Sequence, residues 1–164
     1  MKELAPCVET ITGIDLSAES VELAKSYLSD NANCRVIQMD AMNMDLSSNF
    51  DAVLCLQNGL SAISSGSPFV LMEQCLQKLL SGGKAYFSTY SSKFWDDRVA
   101  WFKEQANKGL LGQLDEKLTK DGNIVCVDGF RATTYSENDL IDMANKIGCP
   151  YKLIEIDQSS LFLI

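Results

Sequence analysis

No histidine occurs in the 164 residues. That absence excludes every mechanism built on an imidazole base, Ser-His-Asp and Cys-His arrangements included, and it excludes His-ligated zinc. Any chemistry must therefore use carboxylates, hydroxyls, amides, thiols or a reactive cofactor. Positive charge is also scarce. Fourteen Lys and Arg stand against twenty-two Asp and Glu, a formal charge of −8. Nucleic acids and anionic membranes both reward clustered positive charge, so neither is expected as a main partner. No apolar run approaches the length of a membrane span, and Met1-Lys2-Glu3-Leu4 opens no signal-peptide core. A cytoplasmic chain is expected. The six cysteines, at 7, 34, 55, 75, 126 and 149, form no close pair of the CxxC kind. Most lie in apolar company, as in Val53-Leu54-Cys55-Leu56, and read as small buried hydrophobes in a reducing compartment.

What is present suits one globular domain over 1–164, long enough to need no disulfide or metal staple. Short apolar strands alternate with amphipathic helices. Ile11 to Asp15 reads as a strand ending in an acid. Ser17 then caps a helix carrying Val21, Ala24 and Leu28. Arg35 to Met39 is a second strand, followed by Asp40. Phe50 to Leu56 is a third, and its apolar run predicts burial on both faces, as in a parallel sheet. Pro68 opens a helix that Gly82-Gly83 stops, and Lys84 to Tyr90 resumes a strand. This rhythm predicts an α/β fold with a parallel sheet.

The stretch 91–134 breaks the rhythm and reads as an inserted, substrate-side segment. It holds a helix over Phe94 to Ala106, a turn at Asp121-Gly122-Asn123, and Gly129-Phe130-Arg131. Beyond it, Ser136 caps a helix that Gly148 and Pro150 end. Two last strands, Tyr151 to Ile156 and Leu161 to Ile164, are spaced to pair as an antiparallel hairpin.

In open α/β sheets, ligands bind outside the carboxyl ends of the strands. An acid there can take both hydroxyls of a ribose. Asp15 is placed for that role, and Asp40, at the next strand end, can accept from the exocyclic amine of a purine. The plainer reading makes Asp15 a helix cap and Asp40 a solvated loop acid. Together the pair favours an adenosine lying across the two strands.

Several motifs in this order resemble the class I S-adenosylmethionine-dependent methyltransferases. Thr12-Gly13-Ile14-Asp15-Leu16-Ser17 is similar to their second-strand motif, and Met39-Asp40-Ala41 to their adenine-contacting motif. Phe50 to Leu56 with Gln57-Asn58 resembles their fourth strand and active-site loop. Leu79-Leu80-Ser81-Gly82-Gly83-Lys84 resembles their L-x-P-G-G element, with serine for proline. The resemblance implies a Rossmann-like methyltransferase sheet with a C-terminal antiparallel hairpin. It implies S-adenosyl-L-methionine as cofactor, held by Asp15, Leu16, Met39, Asp40, Ala41, Leu56 and Gln57. It also implies methyl transfer to a small-molecule acceptor oriented by Asn58, with Tyr90 a second candidate.

The family's first strand and its E/D-x-G-x-G-x-G loop have no counterpart before Asp15, and no glycine precedes Gly13. The expectation is a chain lacking the family's N-terminal part. The strands ending at Asp15 and Leu56 would then lose a ladder partner, leaving the chain marginally stable and a poor cofactor binder. Open sheet edges also raise a homodimer, or a non-catalytic methyltransferase-like protein that pairs with a partner chain. A nucleotide-binding Rossmann fragment shares the ribose acid but leaves Asp40 and the closing hairpin unexplained. In 91–134, Trp95, Trp101 and Phe102 either roof an acceptor pocket or pack their helix onto the sheet. Arg131 offers a partner for a substrate carboxylate or a surface ion pair.

Overall fold

A computed structural model describes residues 1–63 and 68–164. The chain divides into two compact units, Met1–Ser47 and Ser48–Ile164.

The first unit is a parallel β-α-β crossover. Strand β1 (Ile11–Asp15) leads through α1 (Ala18–Tyr27) to β2 (Cys34–Gln38). The two strands pair in register from Ile11 with Cys34 to Asp15 with Gln38. The Ser17 hydroxyl accepts the Ser20 N–H at 3.1 Å and so satisfies one orphan donor of α1. Asn33 ties the chain start to this unit, its Nδ2 donating to the carbonyls of Ala5 at 2.8 Å and Val8 at 3.0 Å.

The second unit is built around one long strand. In chain order it contains β3 (Phe50–Cys55), α2 (Pro68–Gln77), β4 (Leu79–Ser91), α3 (Trp95–Asn107), β5 (Asn123–Val125), β6 (Arg131–Tyr135), α4 (Glu137–Ile147), β7 (Leu153–Ile156) and β8 (Ser160–Leu163). The sheet runs β5-β6-β4-β8-β7, with β3 also on β4. β3 and β6 are parallel to β4, and β8 is antiparallel to it. The expected closing hairpin is present as β7–β8. Asp157, Gln158 and Ser159 connect its strands, Ile156 pairing with Ser160, and the first two are left-handed with φ of 53° and 55°. Helix α4 carries a full capping box, Ser136 with Asp139, and ends on Gly148 at φ 78°.

Three expectations need correction. The run after Asp51 in β3 was expected to be buried on both faces, yet Ala52 is exposed, Leu54 is 45 % exposed and Leu56 43 %. Among the described residues β4 is its only strand partner, so one edge and part of its surface stay open. Gly82-Gly83 does not separate a helix from a strand. It bulges inside β4, where the register jumps from Phe50 opposite Leu79 to Ala52 opposite Lys84. Finally, Cys75 and Cys126 are buried as expected, but Cys7 and Cys149 are exposed and Cys34 and Cys55 half-buried.

The segment 91–134 is tied into the sheet. The sequence reading did not foresee β6, which pairs Thr134 with Tyr90 and Tyr135 with Ser91. Phe102, Ile124 and Ala132 form a buried cluster here, with Tyr90, Trp95, Leu111, Leu114 and Phe130 packed around it. Among the described residues no helix is long and apolar enough to cross a membrane.

Candidate functional site

The two candidate acids lie at the carboxyl ends of β1 and β2. The backbone brings these ends together, because the Met39 N–H donates to the Asp15 carbonyl at 2.9 Å. Gln38 Nε2 reaches the Leu16 carbonyl at 3.2 Å. Both acids are exposed, and each fills the plainer role in part. Asp15 Oδ1 accepts the Ser17 N–H at 2.9 Å, and Asp40 Oδ1 accepts the Met42 N–H at 2.8 Å. Among the described residues the second oxygen of each carboxylate has no hydrogen-bond partner. Leu16 is 69 % exposed, while Met39 and Ala41 are half-buried.

In the second unit the candidate residues follow the carboxyl end of β3 or lie on the part of β4 that runs on past it, Cys55 pairing with Phe87 while β4 continues to Ser91. The chain leaves β3 through Leu56 and then turns sharply. Gln57 and Asn58 are both left-handed, with φ of 56° and 59°. Left-handed backbone costs a non-glycine residue about 1–2 kcal/mol, so this turn is held by its surroundings. Gly59 follows it, where a Cβ would lie 2.5 Å from Cys55 Sγ.

Hydroxyls from the end of β4 supply the hold. The Asn58 N–H donates to Ser88 Oγ at 2.7 Å. Ser61 Oγ lies 2.7 Å from Thr89 Oγ1 and accepts the Tyr90 N–H at 2.9 Å. Ser61, Ser88 and Thr89 are all buried. The loop is thus fixed while the Asn58 side-chain carbonyl oxygen stays buried with no partner among the described residues. Such an atom is costly unless something donates to it.

Tyr90 is half-buried beside this loop. The Arg98 guanidinium stacks over its ring at 3.8 Å, and Phe102 meets the ring edge-on. Arg98 Nη2 donates to the Ser159 carbonyl at 3.1 Å, an oxygen that also accepts the Ser91 N–H at 3.0 Å. Burial pulls the Arg98 guanidinium below its ordinary value, and the Tyr90 phenol opposes that shift.

The family model described as "Methyltransferase domain" matches residues 1–83. The chain belongs to this methyltransferase domain family. No curated protein sequence matches it. Solved structures show the same fold. One is a S-adenosylmethionine-dependent methyltransferase from Clostridium acetobutylicum ATCC 824, at TM-score 0.68 and 16 % identity, over 99 % of this chain and 76 % of that one. A second is the DhpI-SAM-HEP complex, at TM-score 0.66 and 17 % identity, over 99 % of this chain and 70 % of that one. A third is SAM-bound CalS10, an amino pentose methyltransferase from Micromonospora echinaspora, at TM-score 0.63 and 16 % identity, over 99 % and 76 %. The fold is that of the class I S-adenosylmethionine-dependent methyltransferases, whose cofactor is S-adenosyl-L-methionine.

Within the methyltransferase, then, Asp15, Leu16, Met39, Asp40 and Ala41 share one end of the β1–β2 sheet. Leu56, Gln57 and Asn58 follow the carboxyl end of β3, and Tyr90 lies on the part of β4 that runs on past it. Other sequence candidates fall elsewhere. Arg131 is exposed at the start of β6, opposite Val125. Phe102 is buried in the 91–134 cluster and Trp95 packs on it, as the plainer reading has it, while Trp101 is 45 % exposed. Ser61, Ser88 and Arg98 escaped the sequence reading. The hydroxyl run Ser88-Thr89-Tyr90-Ser91 at a strand end was the available signal for the serines. Arg98 follows Asp96-Asp97 and reads in sequence as part of a solvated helix start.

Proposed function

We propose that this methyltransferase moves the methyl group of S-adenosylmethionine to an amine or hydroxyl of a small-molecule acceptor. The observation that carries the acceptor half is the Asn58 side-chain carbonyl oxygen, buried and without a partner among the described residues in a strained turn after β3. Strain and an orphaned polar atom in one residue point to a ligand-facing role. In this reading Asn58 Oδ1 accepts the N–H or O–H of the acceptor and so aims its lone pair. Tyr90 is the second candidate, its N–H held by Ser61 of the same loop.

The residues at the β1–β2 end suit the cofactor. Asp15 and Asp40 each keep one carboxylate oxygen open, Asp15 for a ribose diol and Asp40 for the adenine amine. Leu16, Met39 and Ala41 supply apolar surface beside the adenosyl group, and Leu56 and Gln57 are the remaining cofactor candidates. When bound, the cofactor supplies an electrophilic methyl and a thioether leaving group. The protein's part is positioning, with reacting atoms about 3–3.5 Å apart and water kept out. No proton relay through histidine is needed.

The test is mass spectrometry of a panel of small amines and alcohols incubated with saturating S-adenosylmethionine. Methylated product together with S-adenosylhomocysteine is expected from the wild type. Asn58→Ala should lower kcat/KM by about 10- to 100-fold while leaving cofactor binding in place, as loss of one oriented hydrogen bond implies. Unchanged turnover in that variant removes Asn58 from the acceptor site.

A further inference from the structure

Arg98 is the one arginine of three that is not exposed, Arg35 and Arg131 both facing solvent. It is half-buried, yet it makes no ion pair with any described residue, and the four undescribed residues include no acid. Carboxylates are not in short supply, since the chain has twenty-two. Those nearest in sequence, Asp96 and Asp97, are exposed. Lys93, at the start of the same segment, takes both nearby glutamates, Glu137 at 2.9 Å and Glu155 at 2.6 Å.

The guanidinium is held but not satisfied. Its central carbon lies 3.8 Å from the centroid of the Tyr90 ring, and the Ser159 carbonyl takes one donor. Nε is buried with no partner among the described residues. A guanidinium has five N–H donors in a fixed fork, and a half-buried one without a counter-ion is costly. An oxyanion is the ligand that matches this fork. In a chain of net charge −8 the long-range field repels anions, so a local cation is the feature that would admit one.

We infer that Arg98, with Tyr90 as its platform, binds an oxyanion carried by the methyl acceptor, a carboxylate or a phosphate-type group. This deepens the proposed function and rests on it for the word acceptor. It narrows the acceptor class to small acids whose amine or hydroxyl then falls to Asn58. A plain structural clamp between α3 and the β7–β8 turn is the alternative, and it predicts no anion binding.

The experiment follows the Arg98 Nε–H resonance of the labelled wild-type chain by NMR. Sodium acetate and inorganic phosphate are the probes, each against sodium chloride at equal ionic strength. A saturable shift of Arg98 Nε–H with the amides of Tyr90 and Ser159 is expected for acetate or phosphate, and none for chloride. Arg98→Gln should weaken that binding roughly tenfold or more. Arg98→Lys, which keeps the charge and loses the fork, should fall between. Shifts that match chloride, or a folded Arg98→Gln variant that binds as wild type, overturn the proposal. The wild-type titration decides the matter even if a variant fails to fold. S-adenosylhomocysteine binding, followed separately at Asp15, shows whether the methyltransferase reading itself survives.

Discussion

Ser61 and Thr89 share a 2.7 Å hydrogen bond inside the second unit, both almost wholly buried. One residue lies in the loop after β3 and the other in β4, so the bond locks the candidate loop to the central strand. Ser61 also accepts the Tyr90 N–H. Ser61→Ala leaves the Thr89 hydroxyl and the Tyr90 N–H buried without their partner. We expect a loss of about 1–3 kcal/mol of stability, read from urea unfolding. Ser61→Ala with Thr89→Val should lose less than the sum of the single changes, because the second change removes the stranded hydroxyl.

Gly83 sits where the β3–β4 register jumps. A Cβ there would lie 2.9 Å from the Asp51 carbonyl oxygen, 3.0 Å from that of Leu80 and 3.1 Å from that of Phe50. All three are backbone atoms and cannot swing away. Gly83→Ala should therefore destabilise the chain by about 1–3 kcal/mol, as overpacking does. At Gly82 nothing lies within 4 Å of a Cβ, and the obstacle is φ +82° alone. Gly82→Ala should cost about 1 kcal/mol. Paired thermal melts compare the two.

Burial pushes the Cys55 thiol up from 9.0 to about 11 and that of Cys75 to about 12. A folded-state value above the unfolded one gives a contribution present below the unfolded value and lost as pH rises through the folded value. The chain should lose stability progressively from about pH 9 to 12, with Cys55→Ser and Cys75→Ser flattening that decline. In the native state near neutral pH, iodoacetamide should modify exposed Cys7 and Cys149 first and spare Cys55 and Cys75. Timed peptide mapping gives the order.

Much of this was legible in the chain because local chemistry decides it. Ser136 before a helix and Gly148 after it announce α4, and the spacing of the last two strands announces their hairpin. Asp15 and Asp40 were readable as strand-end acids. Other features depend on partners far along the chain. Arg131 to Tyr135 is a strand only because β4 extends past β3 and offers Tyr90 and Ser91 for pairing. Asn58 before Gly59 reads as a turn residue, but nothing marks Gln57 for left-handed backbone, so a turn with two left-handed residues was not readable. Nothing in the sequence singles out Arg98 beside two aspartates, and its place over the Tyr90 ring depends on a contact from another element. The exposure of β3 could not be read from its apolar run, since burial is set by neighbours.

The central claim is that Asp15 and Asp40 hold the adenosyl group of the cofactor. The most direct measurement is an NMR titration of the chain with S-adenosylhomocysteine, following the amides of Leu16, Ser17, Ala41 and Met42. The account predicts saturable shifts at these residues. Asp15→Asn and Asp40→Asn keep an oxygen for the Ser17 and Met42 N–H groups, so the local turns survive. Each should nonetheless weaken binding roughly tenfold or more, the worth of a charge-assisted hydrogen bond. Binding that leaves these amides unmoved, or that both variants retain at wild-type strength, would contradict it.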